Sequence, residues 1–177
     1  PTVMPAFPQM LGGRVKGFIT GGAPMSGRTY QFLEAIFGAP VMQGYGLTET
    51  CATCNLQTPQ HSVPENIGYL VENTEFKLRD IEHWKHTNAE PEGEILCRGP
   101  CVTKGYFKQP EKTAEAFLED GWFATGDVGR LCADGSVKII GRVKALAKTS
   151  LGEYVALEAL EAAYAINSLV LPNGVCV

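Results

Sequence analysis

The chain has 177 residues, of which 45% are hydrophobic and 19% are charged, and its formal net charge at pH 7 is −4. This composition is typical of a globular protein, and the length suits one large domain or one and a fraction. An acidic chain without a dense run of Lys and Arg argues against nucleic acid as a partner, since phosphates select clustered basic residues.

No run of about eighteen apolar residues occurs, so we expect no membrane-spanning helix, and membrane association would depend on parts outside this chain. The N-terminal segment Pro1–Pro5 lacks the basic and apolar regions of a secretory signal. We expect both ends to be cuts within a longer protein.

Residues 1–66 predict an α/β unit. Lys16–Thr20 is a predicted strand, and Ser26 is placed to cap a following helix that Gly38 ends. The helix carries four apolar residues on one face, namely Phe32, Leu33, Ile36 and Phe37. Val41–Gln43 predicts a second strand, parallel to the first, which leads into a loop at the edge where open α/β sheets bind ligands.

Residues 67–140 predict an antiparallel β module. Glu75–Arg79 alternates polar and apolar residues, and Gly93–Arg98 is another short strand. Asp134 with Gly135 predicts a hairpin turn between two further strands. The whole is therefore a mixed α/β fold, an α/β sheet segment followed by a β-rich part.

Three further features follow in the chain. Residues 80–91 predict an exposed polar loop between the first two of these strands, and Pro110 begins a short helix that ends near Phe117 and Leu118. Gly141–Lys144 has the character of a junction, so we place a boundary between residues 140 and 141. Beyond it, steps of three and four residues predict an amphipathic helix through Leu157, Leu160, Glu161 and Tyr164.

The loop after the second strand holds side chains suited to a nucleotide. Tyr45, between Gly44 and Gly46, could offer a flat face to a base. Thr48 could offer a hydroxyl to a phosphate oxygen, and Glu49 a hard oxygen ligand to Mg²⁺. By itself such a sequence is as often only a glycine-rich turn.

Four of the six cysteines allow two interpretations. Cys51 with Cys54, and Cys97 with Cys101, could together form a four-thiolate zinc site. The simpler interpretation is reduced thiols, with Cys97 a small buried residue of a strand. We therefore expect a cytoplasmic protein or one on the cytosolic face of a membrane.

Five motifs occur in the order found in adenylate-forming enzymes, and the chain resembles the long-chain fatty acyl-CoA synthetases in particular over nearly all its residues. The motifs are Gly21-Gly22-Ala23-Pro24-Met25-Ser26, Tyr45-Gly46-Leu47-Thr48-Glu49-Thr50, Gly121-Trp122-Phe123-Ala124-Thr125-Gly126-Asp127, Ile139-Ile140-Gly141-Arg142 and Gly152-Glu153-Tyr154. The resemblance implies activation of a long-chain fatty acid by ATP to acyl-AMP and transfer to CoA, with ATP, Mg²⁺ and CoA required.

The resemblance also implies the fold. Residues 1–140 would be the C-terminal portion of a large AMP-binding domain, and residues 141–177 would be a hinge and the truncated start of a small C-terminal domain.

Roles for individual residues follow from this resemblance. Asp127 would accept from both hydroxyls of the ribose and Arg142 would donate to its oxygens, although a turn aspartate and a surface arginine are the simpler alternatives. Tyr45 would stack on adenine, while Thr48 and Glu49 would serve the phosphates, with Glu49 a ligand of Mg²⁺. The backbone of the segment Gly21, Gly22, Ala23 and Pro24 would approach the edge of the base. Gly44 would border the acyl tunnel, and Gly46 would belong to the nucleotide loop. Gly152 and Glu153 would lie on the CoA side.

The chain departs from the family pattern at the junction. Gly141 stands where an aspartate hinge is usual, Val143 replaces a basic residue and Ala145 replaces another aspartate. The family's phosphate loop and its adenylation lysine are not in the chain, so we expect this fragment to be inactive alone. The alternatives are an acyl-AMP ligase or short-chain acyl-CoA synthetase, or a non-catalytic adenosine-binding module.

Overall fold

The structure is a computed structural model that describes residues 6–82, 84–148 and 154–157 together with residues 160 and 164. A short helix α1 (Ala6–Met10) precedes strand β1 (Phe18–Thr20). Helix α2 (Gly27–Phe37) then connects β1 to β2 (Val41–Tyr45), and the two strands pair in parallel with Phe18 opposite Val41. This β1-α2-β2 unit confirms the predicted α/β part.

The ends of α2 form as the sequence predicts. Ser26 Oγ accepts from the amide of Thr29 at 3.2 Å. Gly38 takes a left-handed φ of 61°, which glycine adopts without a steric cost, and its amide donates to Glu34 at 2.8 Å. The predicted apolar face is only partly correct, because Ile36 is buried whereas Phe32 is 60% exposed.

The first sheet has four strands in the order β1-β2-β3-β4. Strand β3 (Asn55–Leu56) pairs antiparallel with β2, and β4 (Tyr69–Leu70) pairs antiparallel with β3. A single 3-10 turn at Thr48–Thr50 lies between β2 and β3. The first sheet therefore continues beyond residue 66, where the sequence suggested that the β-rich part begins.

The second sheet is antiparallel and follows chain order. Its strands are β5 (Glu75–Arg79), β6 (Glu92–Arg98), β7 (Phe123–Leu131) and β8 (Val137–Arg142). Helix α3 (Pro110–Ala116) and a 3-10 turn at Glu119–Gly121 lie between β6 and β7. The predicted strands, hairpin and short helix are confirmed.

One core joins the two sheets. Its buried residues come from β6, β8 and the segments before β3 and β4, namely Cys54, Ile67, Ile95, Cys97 and Val137. Backbone bonds join the same elements, from Ile67 to Val137 at 2.9 Å and from Val137 back to Gly68 at 3.0 Å. Within the buried region, Asn66 Nδ2 donates to Ser136 Oγ at 2.7 Å.

The chain leaves the second sheet through a 3-10 turn at Val143–Ala145. Strands β9 (Leu146–Lys148) and β10 (Tyr154–Ala156) then pair antiparallel. Leu157, Leu160 and Tyr164 are helical, whereas Glu161 of the predicted helix lies outside the described residues. No helix within the described part of the chain is long and apolar enough to cross a membrane.

Candidate functional site

A chain of polar contacts joins the two sheets at their common edge. Tyr45 ends β2, and its hydroxyl donates to Asp127 Oδ2 at 2.6 Å. Arg142, the last residue of β8, lies opposite Asp127 in the strand register, and its Nε is 3.0 Å from Oδ1. The structure thus brings together three predicted site residues that are far apart in sequence.

Burial and charge determine the pKa of the Tyr45 hydroxyl in this chain of contacts. Asp127 is buried, and the guanidinium of Arg142 compensates its negative charge. Burial, followed by the charge of Asp127 and the hydrogen bond to it, raises the pKa of Tyr45 far above its usual range. The Tyr45 hydroxyl is therefore a permanent donor near neutral pH.

Asp127 retains acceptor capacity in spite of these two contacts. An ionised carboxylate offers about four lone-pair positions, of which Tyr45 and Arg142 take two. The remaining positions could accept from two neighbouring hydroxyls. The Tyr45 ring packs against the core cluster, and its stacking on a base stays a prediction.

Asp127 and Arg142 border a cleft of about 750 Å³. Asp127, Arg142 and Glu49 line it together with Lys112 of α3 and Lys144 of the turn after β8. The lining carries four basic residues, Arg79, Lys112, Arg142 and Lys144, and four acidic ones, Glu49, Glu94, Glu115 and Asp127, so its formal charges balance. An anionic ligand can therefore meet basic side chains there, although the cleft as a whole carries no net positive charge.

Glu49 is held in place by a loop distant in sequence. Its Oε1 accepts from the Tyr106 hydroxyl at 2.6 Å, and its carbonyl oxygen accepts from the amide of Thr103 at 2.8 Å. The hydrogen bond to Glu49, followed by burial, raises the pKa of Tyr106 to about 12. Glu49 is thus a fixed acceptor on the cleft wall.

A magnesium ion suits this donor set only together with a substrate. Within the described ranges no group of three or more His, Cys, Asp or Glu residues could hold a metal. In nucleotide sites, however, Mg²⁺ needs only one or two carboxylates because phosphates and water complete its shell. A single carboxylate such as Glu49 therefore fits a metal that arrives with ATP.

The loop after β2 needs glycine at a defined position. A Cβ on Gly46 would overlap the carbonyl group of Ala52, so no other residue fits there without moving the backbone. The 3-10 turn that follows is closed by Thr50, whose Oγ1 accepts from the amide of Leu47 at 3.0 Å. Thr48, the predicted phosphate contact, is exposed at the start of this turn.

The predicted base-contacting segment lies at the same sheet edge. Gly21 follows β1, and a Cβ placed on it would lie 3.1 Å from the carbonyl oxygen of Gly44 in β2. Gly22 has a φ of +83°, and Ala23 and Pro24 are exposed. The structure therefore brings this segment beside the Tyr45 loop, whereas Gly152 and Glu153 lie outside the described residues.

Three contributors to the cleft were missed by sequence reasoning. Tyr106, which fixes Glu49, lies in an ordinary loop sequence without periodicity. Arg79 of β5 and Glu94 of β6 lie opposite each other and form an ion pair. In the sequence they are only two residues of separate predicted strands. Only the strand register, which the sequence does not reveal, could have identified this pair.

The cysteines divide by exposure. Cys54 and Cys97 are fully buried core residues, whereas Cys51 is exposed and Cys101 half-buried. The buried position of Cys97 confirms its predicted structural role. All five cysteines in the described part of the chain are free thiols.

Comparison with known proteins supports the sequence resemblance. The model of a family described as AMP-binding enzyme matches residues 3–107, more than half of the chain. A long-chain-fatty-acid–CoA ligase 2 from Schizosaccharomyces pombe is 41% identical over 169 residues, 93% of this chain and 24% of the relative. Fatty acyl-CoA synthetase A from Dictyostelium discoideum is 43% identical over 157 residues, 87% of this chain and 24% of the relative.

A solved structure supports the fold. The A domain of carboxylic acid reductase from Segniliparus rugosus, in complex with AMP and a co-purified carboxylic acid, has a TM-score of 0.77 and 35% identity. It covers 91% of this chain and 25% of its own chain. The predicted fold class is confirmed, and the chain spans about a quarter of the length of the relatives it matches.

Proposed function

Because the chain belongs to the AMP-binding enzyme family, we propose that it is the adenosine-holding part of an enzyme that activates a long-chain fatty acid. In the proposed reaction the fatty acid carboxylate attacks the α-phosphorus of ATP, and pyrophosphate leaves. The CoA thiol then attacks the acyl carbon of acyl-AMP, and AMP leaves. The name of the Schizosaccharomyces pombe relative supports a long-chain acid as substrate, and that of the Dictyostelium discoideum relative supports a fatty acid.

One observation carries the nucleotide part of this proposal. Tyr45 and Asp127 are separated by 82 positions in sequence, yet their side chains share a hydrogen bond, and Asp127 lines a cleft together with Arg142 and Glu49. Asp127 would accept from the ribose hydroxyls, and Arg142 would donate to the sugar oxygens. The Gly21–Pro24 segment would contact the edge of the base.

The phosphate end of the nucleotide would lie toward Glu49. Glu49 would hold Mg²⁺, and the ion when bound would offset negative charge on the phosphate oxygens. Thr48 would donate its hydroxyl to a phosphate, and the Tyr106 hydroxyl keeps the Glu49 carboxylate oriented toward the cleft. Gly152 and Glu153 remain the proposed CoA-side segment.

The first experiment is a calorimetric titration with AMP. Asp127→Asn keeps the size of the side chain but removes its charge, and we expect affinity to fall about 10- to 100-fold. Asp80→Asn, in an exposed loop, is the matched control and should bind as the wild type does. Equal affinities for the Asp127 variant and the wild type would remove Asp127 from the ribose role.

The second experiment addresses the acid. Pyrophosphate release from ATP that depends on a long-chain acid, followed by acyl-CoA formation, would support the proposed substrate in the longest natural form of the protein. We expect the 177-residue chain alone to bind AMP without turnover. Release that depends only on a short acid, or acyl-AMP that is not passed to CoA, would instead indicate another adenylate-forming ligase.

A non-catalytic adenosine-binding module remains the second candidate. Gly141 and Val143 favour it, because they replace residues usual at this junction in the family. AMP binding without any acid-dependent pyrophosphate release in the longest natural form would support it. We also propose a cytoplasmic location or the cytosolic face of a membrane, which the free thiols of the five cysteines in the described ranges support.

A further inference from the structure

The strand that carries Asp127 is interrupted at that residue. In the ladder between β6 and β7, Ala124 lies opposite Leu96 and Val128 lies opposite Glu94. Three residues of β7, Thr125 to Asp127, therefore face the single residue Ile95 of β6. Such a bulge leaves backbone groups without ladder partners and redirects the side chains it contains.

Side chains satisfy the backbone of this bulge. Thr125 Oγ1 donates to the carbonyl oxygen of Ile95 at 2.9 Å and accepts from the amide of Asp127 at 3.1 Å. The amide of Gly126 donates to Glu94 Oε1 at 3.2 Å. Gly126 has a φ of +75°, which glycine adopts without a steric cost and which residues with a side chain rarely adopt.

The Glu94 carboxylate is itself fixed. Its side chain is only 5% exposed, and its Oε2 accepts from Arg79 Nε at 2.8 Å and from the Nη2 of the same guanidinium. This fork engages one oxygen and leaves Oε1 for the Gly126 amide. Two nitrogens of one guanidinium hold this buried carboxylate in a single geometry, so Arg79 and Glu94 act as one unit.

We propose that Glu94, paired with Arg79, is a positioning residue that fixes the Asp127 carboxylate for the ribose hydroxyls by holding the Gly126 amide. The inference rests on the proposed function, since it specifies how the sugar site is oriented. Neither Glu94 nor Arg79 needs to touch the nucleotide for this role. Their effect passes through one backbone amide to the next residue.

The chain contains a matched control for this unit. Glu92 lies on the same strand, and its Oε1 accepts from Arg130 Nε at 2.7 Å, but it pairs with a part of β7 beyond the bulge. Glu92→Gln and Glu94→Gln therefore remove the same charge from the same kind of ion pair. Only the second variant weakens the hold on the Gly126 amide.

Ligand binding gives the first readout. Wild type, Glu94→Gln and Glu92→Gln are titrated with AMP and with 2′,3′-dideoxy-AMP, which lacks both hydroxyls. We expect Glu94→Gln to weaken AMP binding about tenfold and dideoxy-AMP binding less than about twofold, with Glu92→Gln unchanged for both. Equal losses for the two nucleotides would overturn the inference, since a general structural defect has no preference for the sugar.

Amide hydrogen exchange gives a readout that needs no ligand. In Glu94→Gln we expect exchange at Gly126 and Asp127 to be at least about tenfold faster than in the wild type and in Glu92→Gln. Unchanged exchange at these amides would overturn the inference whatever the nucleotide data show. Suppose that exchange is faster in Glu94→Gln but that the wild type binds AMP and dideoxy-AMP equally. This pair of results would support the role of Glu94 in the bulge and reject the ribose role of Asp127.

Arg79→Gln keeps the test informative if Glu94→Gln does not fold. Arg79 is half-exposed, and its removal leaves Glu94 in place but without the fork that fixes it. We expect the same preference for loss of AMP over dideoxy-AMP. The corresponding control is Arg130→Gln, and equal behaviour of the two arginine variants would overturn the inference.

Discussion

The hydroxyl of Tyr45 is a structural contact as well as a feature of the candidate site. It donates to a buried carboxylate, so its removal leaves one oxygen of Asp127 without that partner. We expect Tyr45→Phe to lower the free energy of unfolding by about 1–3 kcal/mol in urea denaturation. Tyr69→Phe is the control. Its expected loss of unfolding free energy is smaller, because Tyr69 lies near the Asp134 carboxylate, which is partly exposed. A larger loss for Tyr69→Phe would contradict this interpretation.

Tyr106 contributes to stability in a way that alkaline pH removes. Its pKa is raised to about 12 in the folded protein, above the ordinary value near 10, so the folded state keeps a proton that the unfolded state loses. The contribution of Tyr106 is therefore complete below pH 10 and is lost as pH rises toward 12. We expect wild-type stability to fall more steeply over this range than that of Tyr106→Phe, as measured by urea denaturation at a series of pH values. Parallel curves for the two proteins would exclude the hydrogen bond to Glu49 as the cause.

At the scale of single elements, the loop after β2 depends on Gly46. A methyl group there would meet the carbonyl group of Ala52, so the loop must open or move as a whole. We expect Gly46→Ala to lower the free energy of unfolding by about 2–4 kcal/mol and to weaken AMP binding, measured by denaturation and calorimetry.

Gly27→Ala is the control for this variant. Gly27 begins α2, and an added Cβ would make ordinary contact with Pro64 at 3.4 Å. Alanine is also the better helix former, so the control should be neutral or slightly stabilising. A loss at Gly27 equal to that at Gly46 would mean that steric overlap at the loop is not the cause.

Elements with local signals were predicted from the sequence. Ser26 and Gly38 mark the ends of α2 because capping depends on a few neighbouring residues. The hairpin at Asp134 and Gly135 is likewise local. The bulge around Gly126 was not predicted, because its geometry depends on which residues of a neighbouring strand it faces.

At the scale of the whole molecule, the two sheets share one core and should unfold together. Ser136 accepts from the buried Asn66 amide across the sheets, so its loss leaves a buried donor without that partner. We expect Ser136→Ala to lower the free energy of unfolding by about 1–3 kcal/mol in one cooperative transition. Tryptophan fluorescence and far-ultraviolet circular dichroism should give coincident curves, whereas two separate transitions would mean that the sheets are independent. Ser62→Ala, whose 3.4 Å bond to Glu34 is weaker, is the control.

The site was predictable to the extent that each residue carries its own chemistry. Tyr45, Glu49, Asp127 and Arg142 were recognised from their motifs. The structure brings the last three to one cleft and joins Tyr45 to it through the hydrogen bond to Asp127. The partners that hold them were not recognised, because Tyr106 and Glu94 have no motif of their own here. Which acceptor each donor meets is fixed only when the two sheets pack together.

The position of Arg142 at the last residue of β8 has a consequence for the departing backbone. The contact of Arg142 with Asp127 fixes the position of the last residue of β8, from which the chain continues toward β9. Any molecule that competes for the same carboxylate oxygen therefore also changes the energy of the contact between Arg142 and Asp127. By thermodynamic reciprocity, the path of the outgoing segment and the binding of any ligand to the Asp127 carboxylate must influence each other equally.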